Sequence, residues 1–401
     1  MKGNGSAVDL SRRSLSLKIS STVAVAQRAA ALRSAGQSIL DFSVGEPDQA
    51  TPAHIKEAAM AALRADRTRY TPAAGIPELR AAVALRYRQD FNVVFGPEEV
   101  AVTMGGKQAL YLVCNALLDR GDEVVIPTPH WPTFSEAVRL AGGRPVVAQT
   151  REKDAFRVTA RLVAKSVTTR TKAVLVNSPG NPTGAVIGDA ELLAIARMAQ
   201  RQKFTILYDD TYARMTFGGA EPADLQKVRD VAGDRFVVLG TASKSYCMTG
   251  WRIGWIMGPR PLIDACAALV SHSTQCPTSF AQVGAVEALT GPQRFVSDQT
   301  DEYQRRRDTL HTALNAIEGL TCVLPDGAFY LFPNVTRYLS KKIPDDVRLA
   351  TAILEEARVA VVPGEAFGGP GHIRISFARP MDELTEGARR IAAFLGRVRG
   401  D

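Results

Sequence analysis

Three short apolar runs constrain the fold more than any other feature of this chain: Lys172–Asn177, Phe204–Tyr208 and Phe236–Leu239. Each is apolar almost throughout, and each breaks off into small or polar residues. A strand with one wet face alternates apolar and polar positions, so runs without that alternation predict strands covered on both faces. Helical patterns separate such runs along the chain, which predicts a doubly wound α/β fold with a large, mostly parallel sheet. In such sheets ligands bind just outside the carboxyl ends of the strands. The turn Ser178-Pro179-Gly180-Asn181-Pro182-Thr183-Gly184, the pair Asp209-Asp210 and Lys244 all follow strand ends, so they are expected to converge.

The remaining pattern fills in this frame. Residues 1–20 are polar and expected to be loosely ordered. Ser21–Ser34, Pro52–Arg64, Pro77–Gln89 and Lys107–Leu118 read as helices, and Ile39–Val44, Val100–Thr103 and Glu123–Ile126 as strands. After about residue 290 the texture changes to that of a smaller α+β unit. It has a charged helix over Phe295–Ile317, a hairpin of Leu320–Leu324 with Ala328–Leu331, and a helix near Asp346–Ala357. Strands at Val359–Val362 and His372–Phe377 and a final helix complete it. The expected division is a large domain over 46–290, and a small domain formed by 1–45 with 291–401.

Composition excludes several classes. With 401 residues, 46% of them hydrophobic, the chain can bury a sizeable core. The net charge of +8 suits an anionic ligand or simply a solvated basic surface, and no basic arm resembles a nucleic-acid binder. Arg305, Arg306 and Arg307 form the longest basic run and sit in a polar helical pattern. Five dispersed cysteines without a C-x-x-C pair read as free thiols, and the five histidines lack metal-ligand spacing. No apolar signal-peptide core and no membrane-length apolar run is present, so a soluble, cytoplasmic chain is expected.

The residues after the strand ends suggest chemistry. Lys244, in Gly240-Thr241-Ala242-Ser243-Lys244-Ser245, can form a Schiff base with a cofactor aldehyde, or be a solvated loop lysine. Arg252, flanked by Gly250, Trp251 and Gly254, can pair a phosphate. Gly105-Gly106-Lys107 opens a helix whose N-terminus favours an anion. Asp209 can keep a pyridine nitrogen protonated, or cap the next helix. Tyr212 can reach the same ring's phenolic oxygen, and Trp131 can stack on it or pack in the core. Arg374, between apolar neighbours on a strand, needs an anionic partner: a substrate α-carboxylate or a structural acid.

Taken together, these motifs resemble the class I aminotransferases. The resemblance rests on Asn177–Gly184, on Tyr208-Asp209-Asp210-Thr211-Tyr212, and on Ser243-Lys244 with Met248–Gly254. It runs from Gly45-Glu46-Pro47-Asp48 to Arg374, over roughly residues 18–398. Tyr70–Arg80 and Gly105–Leu110 are most similar to the bacterial aspartate aminotransferase subgroup, which includes enzymes that also use prephenate. The resemblance implies pyridoxal 5′-phosphate (PLP) and a homodimer with shared sites. By its pattern Lys244 carries PLP, Asp209 pairs the ring nitrogen, Tyr212 and Asn181 bond the phenolic oxygen, and Trp131 stacks. Gly106, Lys107, Thr241 and Arg252 hold the phosphate, helped by Tyr70 from the partner subunit, and Ser243 is a further cofactor-binding residue. Arg374 holds the substrate carboxylate beside Gly45 and Asn181. Lys107, with Ser20 and Thr22 near it, favours a dicarboxylic substrate.

Three departures from the subgroup bear on specificity: His130, Asp210-Thr211 and Gln275-Cys276, all expected near the pocket. The implied reaction moves an amino group from an amino acid, L-aspartate or another dicarboxylic donor, to a 2-oxo acid such as 2-oxoglutarate, with ping-pong kinetics. Alternatives on the same fold are an aromatic or prephenate specificity, a β-lyase, and a regulatory sensor domain. The sensor would need a helix-turn-helix ahead of the fold. No G-x-G-x-x-G opens the first strand–helix unit and no G-x-S-x-G is present, which disfavours a dehydrogenase and a hydrolase.

Overall fold

The computed structural model describes residues 8–11, 14, 15 and 21–398. Ser20, and the side chain of Thr22, lie outside the described residues. A seven-stranded sheet organises the chain, in the order β2-β8-β7-β6-β5-β3-β4. Its strands are β2 (Val100–Thr103), β3 (Glu123–Thr128), β4 (Arg144–Gln149), β5 (Thr171–Asn177), β6 (Thr205–Asp209), β7 (Phe236–Thr241) and β8 (Gly254–Met257). All neighbours from β4 to β7 pair in parallel, and β8 runs antiparallel to both β7 and β2. The sheet is thus mostly parallel, as the apolar runs predict. Strands β4 and β8 were not legible beforehand. Exposed and half-buried residues break up the apolar run of β4, and the second is embedded in a loop-like glycine motif.

The reason for the continuous apolar runs is visible in the core. Along β5 to β7, alternate residues enter two different clusters: Val174, Val176, Ile206, Tyr208 and Val238 on one face, Ala173, Leu175, Leu207, Val237 and Leu239 on the other. Both faces are therefore buried under helices, so the central positions are apolar and polar residues stand only near the strand ends.

A second cluster gathers the C-terminal part. It includes the helices Arg294–Asn315 and Met381–Val398, and a small sheet of β11 (Val362–Pro363), β12 (Ile373–Ser376) and β9 (Tyr330–Leu331). The hairpin expected from Leu320–Leu324 and Ala328–Leu331 is not formed. Residues 320–324 make only a bridge from Thr321 to Asn334, and β9 pairs with β12 instead. Pro325 and Gly327 intervene, and Gly327 packs so closely on Pro179 that a side chain there would collide. The single strand expected over Val359–Val362 is split: β10 (Val359–Ala360) pairs in parallel with β1 (Leu40–Asp41), whereas β11 pairs with β12. Ala29 and Ile39 pack on Leu354 and Ala360, which ties the N-terminal helix Ser21–Ser34 to the C-terminal part.

Within the basic run Arg305 is exposed, and the two that follow it are not. Arg306 and Arg307 are buried, and Arg306 Nη1 donates to both carboxylate oxygens of Asp48 at 2.9 Å. That pair anchors the Gly45–Asp48 segment to the long helix. No helix among the described residues is long and apolar enough to cross a membrane.

Candidate active site

The carboxyl ends of β5, β6 and β7 open into a cavity of about 610 Å³, within the usual size of a small-molecule site. Apart from Ser20 and Thr22, whose side chains lie outside the described residues, every site residue predicted from the sequence lines it except Tyr70, which is 83% exposed on the surface.

Strand register builds the floor. Asn177 lies opposite Asp209, and its Nδ2 donates to Asp209 Oδ1 at 3.2 Å while its own Oδ1 accepts from Asn181 N–H at 2.9 Å. Thr211 N–H also donates to Asp209 Oδ1. Asp209 is buried and has no ion-pair partner among the described residues. Burial raises its carboxyl to about 6, with the Thr211 and Asn177 hydrogen bonds working against the rise.

One end of the cavity is cationic. The helix Gly106–Leu117 begins there, and Gly105 at its cap has φ +87° and faces Arg252, which a side chain on Gly105 would strike. Gly254 pairs with Thr103 and Thr241 on its two sides and lies against Gly105 and Gly106, where a Cβ would collide with backbone. These glycines let the helix N-terminus, Thr241 and Arg252 face one space. Gly250, by contrast, has open space around it and plays no packing part. Burial and then the Arg252 charge lower the Lys107 amine, whose Nζ sits 5.1 Å from the Trp131 ring.

Lys244 projects into the middle, where its Nζ donates to the Gly45 carbonyl at 2.6 Å. Burial brings its amine down to about 8; Glu46 opposes this, and Arg374, Arg252 and Lys107 add to it. At the far end lies Arg374. Its Nη1 donates to Asn181 Oδ1 at 3.1 Å and its Nη2 to the Ser43 carbonyl at 2.6 Å, whereas its buried Nε has no partner among the described residues.

Of the departures noted from the sequence, only Thr211 lines the cavity. Asp210, the first residue after β6, turns away from the cavity and accepts a hydrogen bond from the buried Tyr87. His130 sits behind Trp131, between Thr128 Oγ1 (2.8 Å) and Ser135 Oγ (2.7 Å), with burial lowering its ring to about 4. Gln275 and Cys276 do not reach the cavity. Sequence reading missed Tyr330, Ser43 and Asn177 as lining residues. Tyr330 reads only as a strand residue, and Asn177 precedes the turn that drew attention.

The aminotransferase class I and II family pattern matches residues 37–391. The chain belongs to the class I and II aminotransferases. This aminotransferase is 40% identical to an aspartate aminotransferase of Geobacillus stearothermophilus over 387 residues, covering 96% of this chain and 98% of the relative. It is 42% identical to an aspartate/prephenate aminotransferase of Thermus thermophilus, with coverage of 97% and 99%. Its fold superposes on the structure of Thermus thermophilus aspartate aminotransferase with maleate at a TM-score of 0.92, with 41% identity, covering 96% of this chain and 100% of that one.

Proposed function

We propose that this aminotransferase uses PLP to move the amino group of L-aspartate to 2-oxoglutarate, with Lys244, Asp209 and Arg374 as its principal residues. The observation that carries the reading is their convergence: an amine, a buried carboxylate without a cation, and an arginine with an unpartnered Nε face one cavity. The fit to PLP rests on the same space. The cradle of Gly105, Gly106, Thr241, Ser243 and Arg252 suits the phosphate, and Asp209 suits a protonated ring nitrogen.

When bound, PLP supplies a sink for the electron pair released at the substrate Cα. Arg374 and Asn181 would hold the substrate α-carboxylate and so orient the substrate for proton removal at Cα. Lys244 Nζ, its amine lowered to about 8 by burial, would take the substrate Cα proton as a base and then give it up again as an acid. Asp209 would keep the ring nitrogen protonated, Tyr212 and Asn181 would hold the phenolic oxygen, and Trp131 would stack on the ring. Lys107 suits the distal carboxylate of a dicarboxylic substrate; relatives named for aspartate, and one structure holding maleate, support that choice. The exposed Tyr70 suits a phosphate contact made across a homodimer. In this reading residues 46–290 form the cofactor domain, and 1–45 with 291–401 the second domain.

The test is an absorbance spectrum of the purified protein with PLP, before and after L-aspartate. A visible band that moves to the near ultraviolet with aspartate, and is absent in Lys244→Ala, is expected. No band sinks the reading. A band that answers only to another amino acid removes the aspartate assignment.

A further inference from the structure

The cavity contains a buried pair of phenols of which only one has a role so far. The hydroxyls of Tyr212 and Tyr330 lie 2.9 Å apart, and both residues are buried. Tyr330 also reaches two other parts of the site. Its ring lies under the Arg374 guanidinium, whose carbon sits 4.4 Å from the ring centroid. Its hydroxyl occupies the place where a side chain on Gly45 would begin, beside the carbonyl that accepts from Lys244.

A phenol has one proton to give. If Tyr212 gives its proton to the phenolic oxygen of PLP, it has none left for Tyr330. The contact between them then requires Tyr330 to donate and Tyr212 to accept. A donor so placed polarises the next hydroxyl in the chain and strengthens its own donation. Burial pushes the Tyr330 phenol up, so it keeps its proton and can donate it, with the Arg374 cation over the ring face opposing the rise.

We propose, on the PLP reading of the site, that Tyr330 is a positioning residue with two separable parts. Its hydroxyl donates to Tyr212 and so aims the Tyr212 proton at the cofactor's phenolic oxygen. Its ring holds the Arg374 guanidinium in place for the substrate carboxylate.

The experiment titrates the visible band of the PLP-loaded protein with pH in the wild type, Tyr212→Phe, Tyr330→Phe and the double variant. Donation to the phenolic oxygen withdraws charge from it, so the neighbouring Lys244 nitrogen holds its proton less tightly. Loss of that donation raises the midpoint. Tyr212→Phe is expected to raise it, Tyr330→Phe to raise it by about 0.5 unit, and the double variant no further than Tyr212→Phe alone. Phenylalanine keeps the ring, so the KM for the amino acid stays within about twofold in Tyr330→Phe but rises about tenfold in Tyr330→Leu. Gly45→Ala, whose methyl would displace the Tyr330 hydroxyl, gives an independent route to the same upward shift. A midpoint unmoved in Tyr330→Phe and Gly45→Ala while Tyr212→Phe shifts overturns the proposal and leaves the PLP reading standing. Additive shifts in the double variant also overturn it. A midpoint unmoved in Tyr212→Phe overturns the assignment of Tyr212 and the proposal with it.

Discussion

The Lys244 ammonium donates to the Gly45 carbonyl oxygen at 2.6 Å, in a pocket where burial and three other cations press it to lose its proton. The amine stands at about 8, below its usual 10.5. Only the neutral amine attacks an aldehyde. In the PLP-free protein, the rate at which the visible band grows after PLP addition is therefore expected to rise with pH and level off above about pH 8. A rate that climbs steadily to pH 10 would show that the pocket does not tune this amine.

Asp209 predicts an opposition between stability and function. Its carboxyl is raised from 3.8 to about 6, so the folded chain holds its proton more tightly than the unfolded chain does. The resulting penalty is full above pH 6 and fades as the pH falls toward 3.8. Asp209→Asn removes the charge, and should stabilise the PLP-free protein at pH 7.5 by about 1–3 kcal/mol while leaving it unchanged at pH 4. The same variant should lose transamination. Thermal melts at the two pH values decide the point, and destabilisation at pH 7.5 would contradict it.

Arg374→Lys keeps a charge but loses the planar fork that engages Asn181 and the Ser43 carbonyl. The expected result is a fall of about 10–100-fold in kcat/KM for aspartate, with the visible band intact. Loss of the band would instead assign Arg374 to PLP binding.

Lys107 is the lining cation free to meet a distal carboxylate beside Trp131. Lys107→Ala is expected to lower kcat/KM for aspartate about tenfold relative to alanine. An unchanged ratio would move selection of the second carboxylate elsewhere.

Asp210→Glu lengthens the side chain at one of the departures noted from the sequence, yet should leave the ratio of activities toward different donors unaltered. Its carboxylate faces Tyr87 and the core, so the longer side chain is expected to cost about 1–3 kcal/mol of stability by overpacking. Comparison of melting temperature with substrate ratios separates the two effects.

The sequence by itself determined the buried centre of the sheet and the chemistry at its carboxyl edge. Apolar runs without alternation require strands buried on both faces. Polar residues appear only where those strands stop, which is why Asn181, Asp209 and Lys244 were legible as neighbours. Tertiary structure alone decided the rest. Asp209 and Asp210 are adjacent and chemically identical, yet the last residue of β6 faces the cavity while the next one turns to Tyr87. Tyr330 meets Tyr212 across 118 positions of chain, and Arg374 meets Asn181 across 193. Contacts at such separations are set by how the C-terminal elements pack over the sheet, and no local periodicity encodes that packing.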